Sequence, residues 1–228
     1  MAPTGCEKVV LGLWSLGMKN ILEALQWRYA TKEFDLNQAL APELLETILE
    51  SARLAPSSFG IEAWKFLVIE NPALRQQLRA VAFDQAKVTD SPVLVVLARR
   101  TDIRQNIARE LMERTAATQG LQVSDLAPFQ AMVDGRIAGA SDAELDAWAR
   151  AQVYIPLGMM LETAALLGVD AGPMEGFMPT EVDKILGLTE QNLAATAMVA
   201  FGYRSATDAY ATRPKVRRPA SEVIEYRR

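Results

Sequence analysis

Histidine does not occur in this sequence, and cysteine occurs once, at Cys6. The first absence removes the commonest metal ligand and the usual general base near neutral pH, and with them any Ser–His nucleophile. The second excludes an intramolecular disulfide, a CxxC redox pair and a cysteine-rich zinc centre. No metal is expected, and redox chemistry would need an organic cofactor. A chain without cysteine pairs fits a reducing compartment, of which the cytoplasm is the simplest. Long apolar runs are also missing, and none approaches the ~20 residues of a membrane span. Positive charge is not in surplus: 24 Lys and Arg stand against 28 Asp and Glu. The net charge of −4 gives no general attraction to nucleic acid or to an anionic membrane. Walker loops, GxGxxG and GxSxG are absent.

What remains is a chain of 228 residues, half of them hydrophobic, long enough to bury a sizeable core. Repeats, low-complexity tracts and linkers are not found, so residues 18–228 are expected to form one domain. Residues 1–17 read as an extension or non-native remnant ahead of it. Their short apolar stretch has a weak charged start and no small-residue cleavage site, and Met18 opens a helical pattern.

Apolar spacing predicts a short amphipathic helix over Lys19–Trp27, then a charged loop over Arg28–Asn37. Pro42 suits a first helical position, with Leu44, Leu45, Ile48, Leu49 and Ala52 on one face. Pro56 ends that helix, and Ser57–Gly60 is turn-like. A strand is expected over Lys65–Ile69, a helix from Asn71-Pro72 to about Val81, and a buried strand over Val93–Ala98. Thr101 is expected to cap a helix that breaks between Thr118 and Ser124. Phe129–Val133 reads as a short helix and Gly135–Ala140 as loop. Ser141 and Glu144 form a capping box for a helix to about Leu167. That helix is apolar on most faces, implying burial on nearly all sides, and Pro156 is expected to kink it. Extended segments at Val169–Gly172 and Ala195–Gly202, a helix at Thr180–Leu186 and a last strand at Val223–Tyr226 complete the pattern. Helices and strands mix without a βαβ rhythm, which predicts an α+β fold.

Five segments carry candidate chemistry. Arg28 and Lys32, in Arg28-Tyr29-Ala30-Thr31-Lys32, leave a helix four residues apart and can converge on one anion. Pro56-Ser57-Ser58 offers hydroxyls and free amides in a turn. Asp84 and Lys87 lie three apart. Pro173-Met174-Glu175-Gly176 is a turn able to present backbone N–H groups. Arg213-Pro214-Lys215-Val216-Arg217-Arg218-Pro219 is a stiff cationic arm with Lys215 and Arg217 on one side. Taken singly, each has a plain structural reading: a solvated helix end, an ordinary turn, a surface ion pair or a basic tail. The inventory is cations and backbone turns, suited to holding a phosphorylated cofactor that does its own chemistry.

In order along the chain, these segments resemble the nitroreductase family, near its oxygen-insensitive nitroreductases and dihydropteridine reductases. RYATKEFD, APSS with WKF, the Lys87 segment, QVY at Gln152–Tyr154, LGVDAGPMEGF at Leu167–Phe177 and PKVRRP carry the likeness, from about Met18 onward. The resemblance implies a central mixed or antiparallel sheet flanked by helices, in an intertwined homodimer with FMN at the interface. It implies that Arg28, Lys215 and Arg217 hold the FMN phosphate, in a site that also takes in Tyr29 and Ala30. Lys32 and Lys87 would lie near the flavin N1–C2=O edge, and Asp84 at the pyrimidine edge. Glu175 and Gly176, after Pro173 and Met174, would offer amides, and Pro56, Ser57 and Ser58 would come from the partner subunit. Three departures stand out: Ala30 at a phosphate-binding serine, Asp84 at an asparagine, and Ala63 before Trp64 at a proline.

The activity so implied is a ping-pong reduction of nitroaromatics, quinones or related acceptors with NADH or NADPH as donor. No catalytic side chain is required, and Phe129 and Met132 are candidates to cover the acceptor. Three rivals stay open: a flavin-dependent dehalogenase or enoate reductase, an FMN-binding protein without turnover, and a basic-arm nucleic-acid binder.

Overall fold

The computed structural model describes residues 20–228. The expectations for residues 1–17, and the Met18 and Lys19 start, lie outside the described residues. Helix α1 (Ile21–Trp27) begins at Asn20, whose side chain accepts from the Glu23 amide while Glu23 reaches back to the Asn20 amide. Helix α2 (Pro42–Arg53) has its proline in the first turn, where the missing N–H costs nothing.

Four strands form one sheet: β1 (Trp64–Ile69), β2 (Val93–Arg100), β3 (Asp170–Met174) and β4 (Leu193–Gly202). Their spatial order is β1-β2-β4-β3, with every neighbouring pair antiparallel. The sheet explains the unbroken apolar runs of β2 and β4. Leu94, Val96 and Ala98 point into one core, Val95 and Leu97 into the other, so no position of the run meets water.

On the first face lie α3 (Pro72–Ala80), started by Asn71 accepting from the Ala73 and Leu74 amides, the helical turn α4 (Lys87–Asp90), and α8 (Pro179–Leu186). On the second face lie α2 and the long α7 (Asp142–Leu166). The capping box at Ser141 and Glu144 starts α7 as the sequence predicts, and the helix runs on through Pro156. Within one chain its burial is partial. Leu145, Ala149, Val153, Leu157 and Met160 face inward, while Ala147, Ala151, Ile155 and Gly158 form an exposed stripe. A third cluster gathers α5 (Ala108–Gln119), α6 (Ala127–Ala138) and the start of α7 around Met112, Val133 and Ala149.

Three expectations are corrected. Thr101 caps nothing: its amide donates to the Asn192 carbonyl, and the helix is entered through a π-helical turn, Ile103–Ile107. Asp102 sits at that entry but is occupied by Arg100 and Asn106. The segment from Gly135 is not loop, because α6 continues to Ala138. Burial of Val133 and Ile137 one helical turn apart outweighs the low propensity of Gly135. Val223–Tyr226 is not a strand, since Ala220–Val223 is a single helical turn, here α9.

Candidate active site

The segment after α1 is sewn to the ends of β3 and β4. Ala30 bridges Ala171 and Phe34 bridges Arg204. The Thr31 amide donates to the Ala171 carbonyl (3.2 Å), Asp35 to Tyr203 (2.8 Å), and Ser205 back to Glu33 (2.9 Å). Gly172 permits this approach. A Cβ there would stand 2.7 Å from the Thr31 carbonyl oxygen and 3.2 Å from the Lys87 side chain, so any larger residue would push the segment off β3.

This sewing brings distant cations together. Lys215 donates its ammonium hydrogen to the Arg28 carbonyl. Arg28 Nε is buried and makes no hydrogen bond. Burial, then Arg217, lowers the Arg28 pKa; burial, then Arg28, Arg217 and Arg204, lowers that of Lys215. Arg204 is anchored nearby. Its guanidinium lies 4.2 Å from the Trp27 ring centre and 4.6 Å from that of Tyr29, and its Nε donates to buried Asp170 at 2.9 Å. Stacking on two rings and a carboxylate partner fix the planar group in one orientation.

Lys87 begins α4, which Arg75 pins from α3. The buried Arg75 guanidinium donates to the carbonyls of Val88 (2.8 Å) and Ser91 (2.6 Å). Lys87 is itself only 4% exposed, and burial, then Lys32, bring its pKa down to about 8, with Asp208 pulling the other way. Lys32 is exposed, 5.7 Å from the Tyr210 ring centre. Glu175 and Gly176 follow β3 and face solvent, while Met174 buries its side chain and Pro173 is half-buried. The Gly176 carbonyl accepts from Gln85 (2.7 Å), which docks the Phe83–Gln85 turn against the Glu175–Gly176 turn. Burial, then a hydrogen bond to Glu175, raises the Tyr154 pKa.

Of the residues singled out from sequence, Arg28, Lys215 and Arg217 form one cluster, and Tyr29, Ala30, Lys32 and Lys87 border it. Asp84 lies on the docked turn in left-handed backbone (φ 53°), its carboxylate taken by Arg79 at 2.6 Å. Pro56, Ser57 and Ser58 are elsewhere: Ser57 accepts from the Glu62 amide, and the Ser58 amide donates to Gln152 on α7. Phe129 and Met132 sit on α6, the first half-buried in the third cluster, the second exposed. Sequence reading missed Asp208, Arg204, Asp170, Arg75 and Tyr154. For Tyr154 the QVY motif held the signal. For Asp170 the LGVDAGPMEGF motif did so, whereas Asp208, a single acid in a turn-rich segment, gave none.

Among the described residues no group of three or more Asp, Glu or Cys is placed to hold a metal ion, and no helix is long and apolar enough to cross a membrane. The arrangement suits an anion with several acceptor oxygens, beside two more ammonium groups.

Residues 25–203 match the model of the nitroreductase family. A Staphylococcus aureus (strain USA300) protein named "Putative NAD(P)H nitroreductase" is 39% identical over 219 residues, 91% of this chain and 96% of its own. Among solved structures, a nitroreductase-like Bacillus subtilis protein, ydfN, superposes with a TM-score of 0.79 at 21% identity, over 90% of this chain and 98% of that one. An Exiguobacterium sibiricum structure named a "putative nitroreductase in complex with FMN" gives 0.77 at 21%, over 92% and 98%. Sequence and fold agree over nearly the whole described length: this chain belongs to the nitroreductase family.

Proposed function

We propose that the protein is an FMN-dependent NAD(P)H oxidoreductase that reduces nitroaromatics, quinones or related small acceptors in two successive half-reactions. The observation that carries this reading is Arg28. Its buried Nε has no acceptor, and its neighbours Lys215 and Arg217 raise the cost of its charge. A phosphate monoester supplies acceptor oxygens and negative charge at the same point, removing both penalties. The name of the 39% identical relative and the FMN in the Exiguobacterium structure agree with such a ligand.

On this reading Arg28, Lys215 and Arg217 hold the phosphate, and Arg204, stacked on Trp27 and Tyr29, keeps that end rigid. Lys32 and Lys87 would flank the N1–C2=O edge of the ring. Glu175 and Gly176 offer backbone groups, and Asp84 lies at the pyrimidine edge. FMN held there would supply two-electron redox chemistry between NADH or NADPH and the acceptor. The chain supplies position and field. At pH 7 Lys87, with a pKa of about 8, is mostly charged, so two ammonium groups would stabilise the negative charge that builds up at that edge. No side-chain acid is assigned, and water delivers the proton.

A homodimer completes the reading. The exposed stripe Ala147, Ala151, Ile155 and Gly158 on α7 and the exposed Ile21, Leu22 and Leu25 on α1 support a second copy packed there. So do Val223, Ile224 and Tyr226, apolar residues that find no place in the core of their own chain. Pro56, Ser57 and Ser58, with Phe129 and Met132, would then serve the partner's site. The cytoplasm, a reducing compartment, is the setting proposed.

The test is spectroscopic. Purified protein is expected to carry or take up FMN, to be bleached by NADH or NADPH without oxygen, and to regain its colour on adding a nitroaromatic or quinone. Protein that binds FMN but resists bleaching is a carrier rather than an enzyme. Protein that never takes up FMN ends the proposal.

A further inference from the structure

We infer that Asp208, in the loop after β4, is a positioning residue that shapes the cation cluster for its ligand; the inference rests on the flavin reading above. Its carboxylate, 4% exposed, accepts four hydrogen bonds. Oδ2 takes the Tyr29 hydroxyl (2.8 Å) and the consecutive amides of Lys32 (2.8 Å) and Glu33 (3.1 Å), and Oδ1 takes the Tyr210 amide (2.9 Å). Three of the donors belong to the segment that bears Arg28 and Lys32. The fourth belongs to the loop that leads to Lys215 and Arg217. One carboxylate thus staples the two cationic segments, and pairs of successive amides are a favourable seat for an anion.

All four donors are neutral. Asp170, the other buried acid here, is taken up by Arg204 through Nε and Nη2. Asp208 has no such ion pair among the described residues, so its field is left to act on the cations around it. Burial opposes its ionisation, and the amides of Lys32, Tyr210 and Glu33 with the Tyr29 hydroxyl more than offset that, keeping its pKa below the ordinary aspartate value. The charged groups acting on Lys87 are Lys32, which discharges it, and Asp208, which keeps it charged. Asp208 thus offsets, in part, the discharge of Lys87 by burial and Lys32, without touching the Lys87 side chain.

Wild-type protein, Asp208→Asn and Tyr29→Phe are compared in two measurements: FMN affinity of the FMN-free protein by fluorescence titration, and titration of the Lys87 ammonium by NMR without FMN. Circular dichroism checks the fold. In Asp208→Asn the dissociation constant is expected to rise about tenfold or more, since charge-assisted hydrogen bonds are lost. The Lys87 midpoint is expected to fall below that of the wild-type protein. Tyr29→Phe keeps the charge and loses one donor, so FMN should weaken less and the Lys87 midpoint should hold. Wild-type FMN affinity in Asp208→Asn overturns the positioning role, and an unmoved Lys87 midpoint overturns the charge role. If Asp208→Asn does not fold, Tyr29→Phe decides: weakened FMN supports the staple and unchanged affinity overturns it. Failure of wild-type protein to bind FMN is a separate result, and it sinks the flavin reading instead.

Discussion

The Lys87 side chain lies against Gly172 so closely that a methyl group on the glycine would stand 3.2 Å from its Cδ, and 2.7 Å from the Thr31 carbonyl oxygen. Gly172→Ala is therefore expected to destabilise the fold by about 1–3 kcal/mol, the usual cost of overpacking. It should also weaken FMN binding, because the Thr31–Lys32 backbone must retreat from β3. Urea unfolding and FMN titration of the same variant check both.

Lys87 should trade stability for function. Its pKa of about 8 in the folded chain lies below the roughly 10.4 of an unfolded lysine. Between those values the unfolded chain holds a proton that the folded chain has released, so FMN-free protein should gain stability as pH rises from about 8 to about 10. Lys87→Met removes the buried charge. It is expected to stabilise the FMN-free protein by about 2 kcal/mol at pH 7 and to slow bleaching by NAD(P)H. Thermal melts across pH and stopped-flow absorbance give the two answers.

Removing the phosphate cations should act in a similar way. Arg217→Ala with Lys215→Ala is expected to raise the FMN dissociation constant about a hundredfold, at about tenfold for each charge-assisted contact. The melting temperature of FMN-free protein should not fall, because Arg28 loses two repelling neighbours. Unchanged FMN retention counts heavily against the phosphate assignment.

A charge on the open stripe of α7 tests the dimer. Ile155→Glu is exposed in a single chain and should leave its fold intact. In the proposed dimer it buries an unpaired carboxylate twice over, and sedimentation velocity should then find monomers with weakened FMN binding.

Much of the fold was legible because local signals and burial agree. The runs of β2 and β4, the Ser141–Glu144 box and Pro42 at a helix start each have one physical reading, which the structure bears out. Errors came where tertiary contacts override local chemistry. Gly135 suggested a loop, but Val133 and Ile137 lock that helix into the third cluster, and Arg104 donates to the carbonyls of Ile137 and Ala140 beyond it. At the candidate site, spacing alone did not separate a binding role from a solvated surface, and the cations stood out only through the order of their segments in the likeness to nitroreductases. Asp208 did not, because its role depends on amides 175 and 176 residues away in sequence.

The contact between Arg28 and Lys215 joins positions separated by 187 residues of chain. During synthesis the α1 end leaves the ribosome long before its partner exists. A nascent chain that has reached only the end of β4 carries all four strands but neither Lys215 nor Arg217, two of the three cations proposed to hold the phosphate. On the flavin reading, the phosphate seat would therefore be completed only by the segment that follows β4.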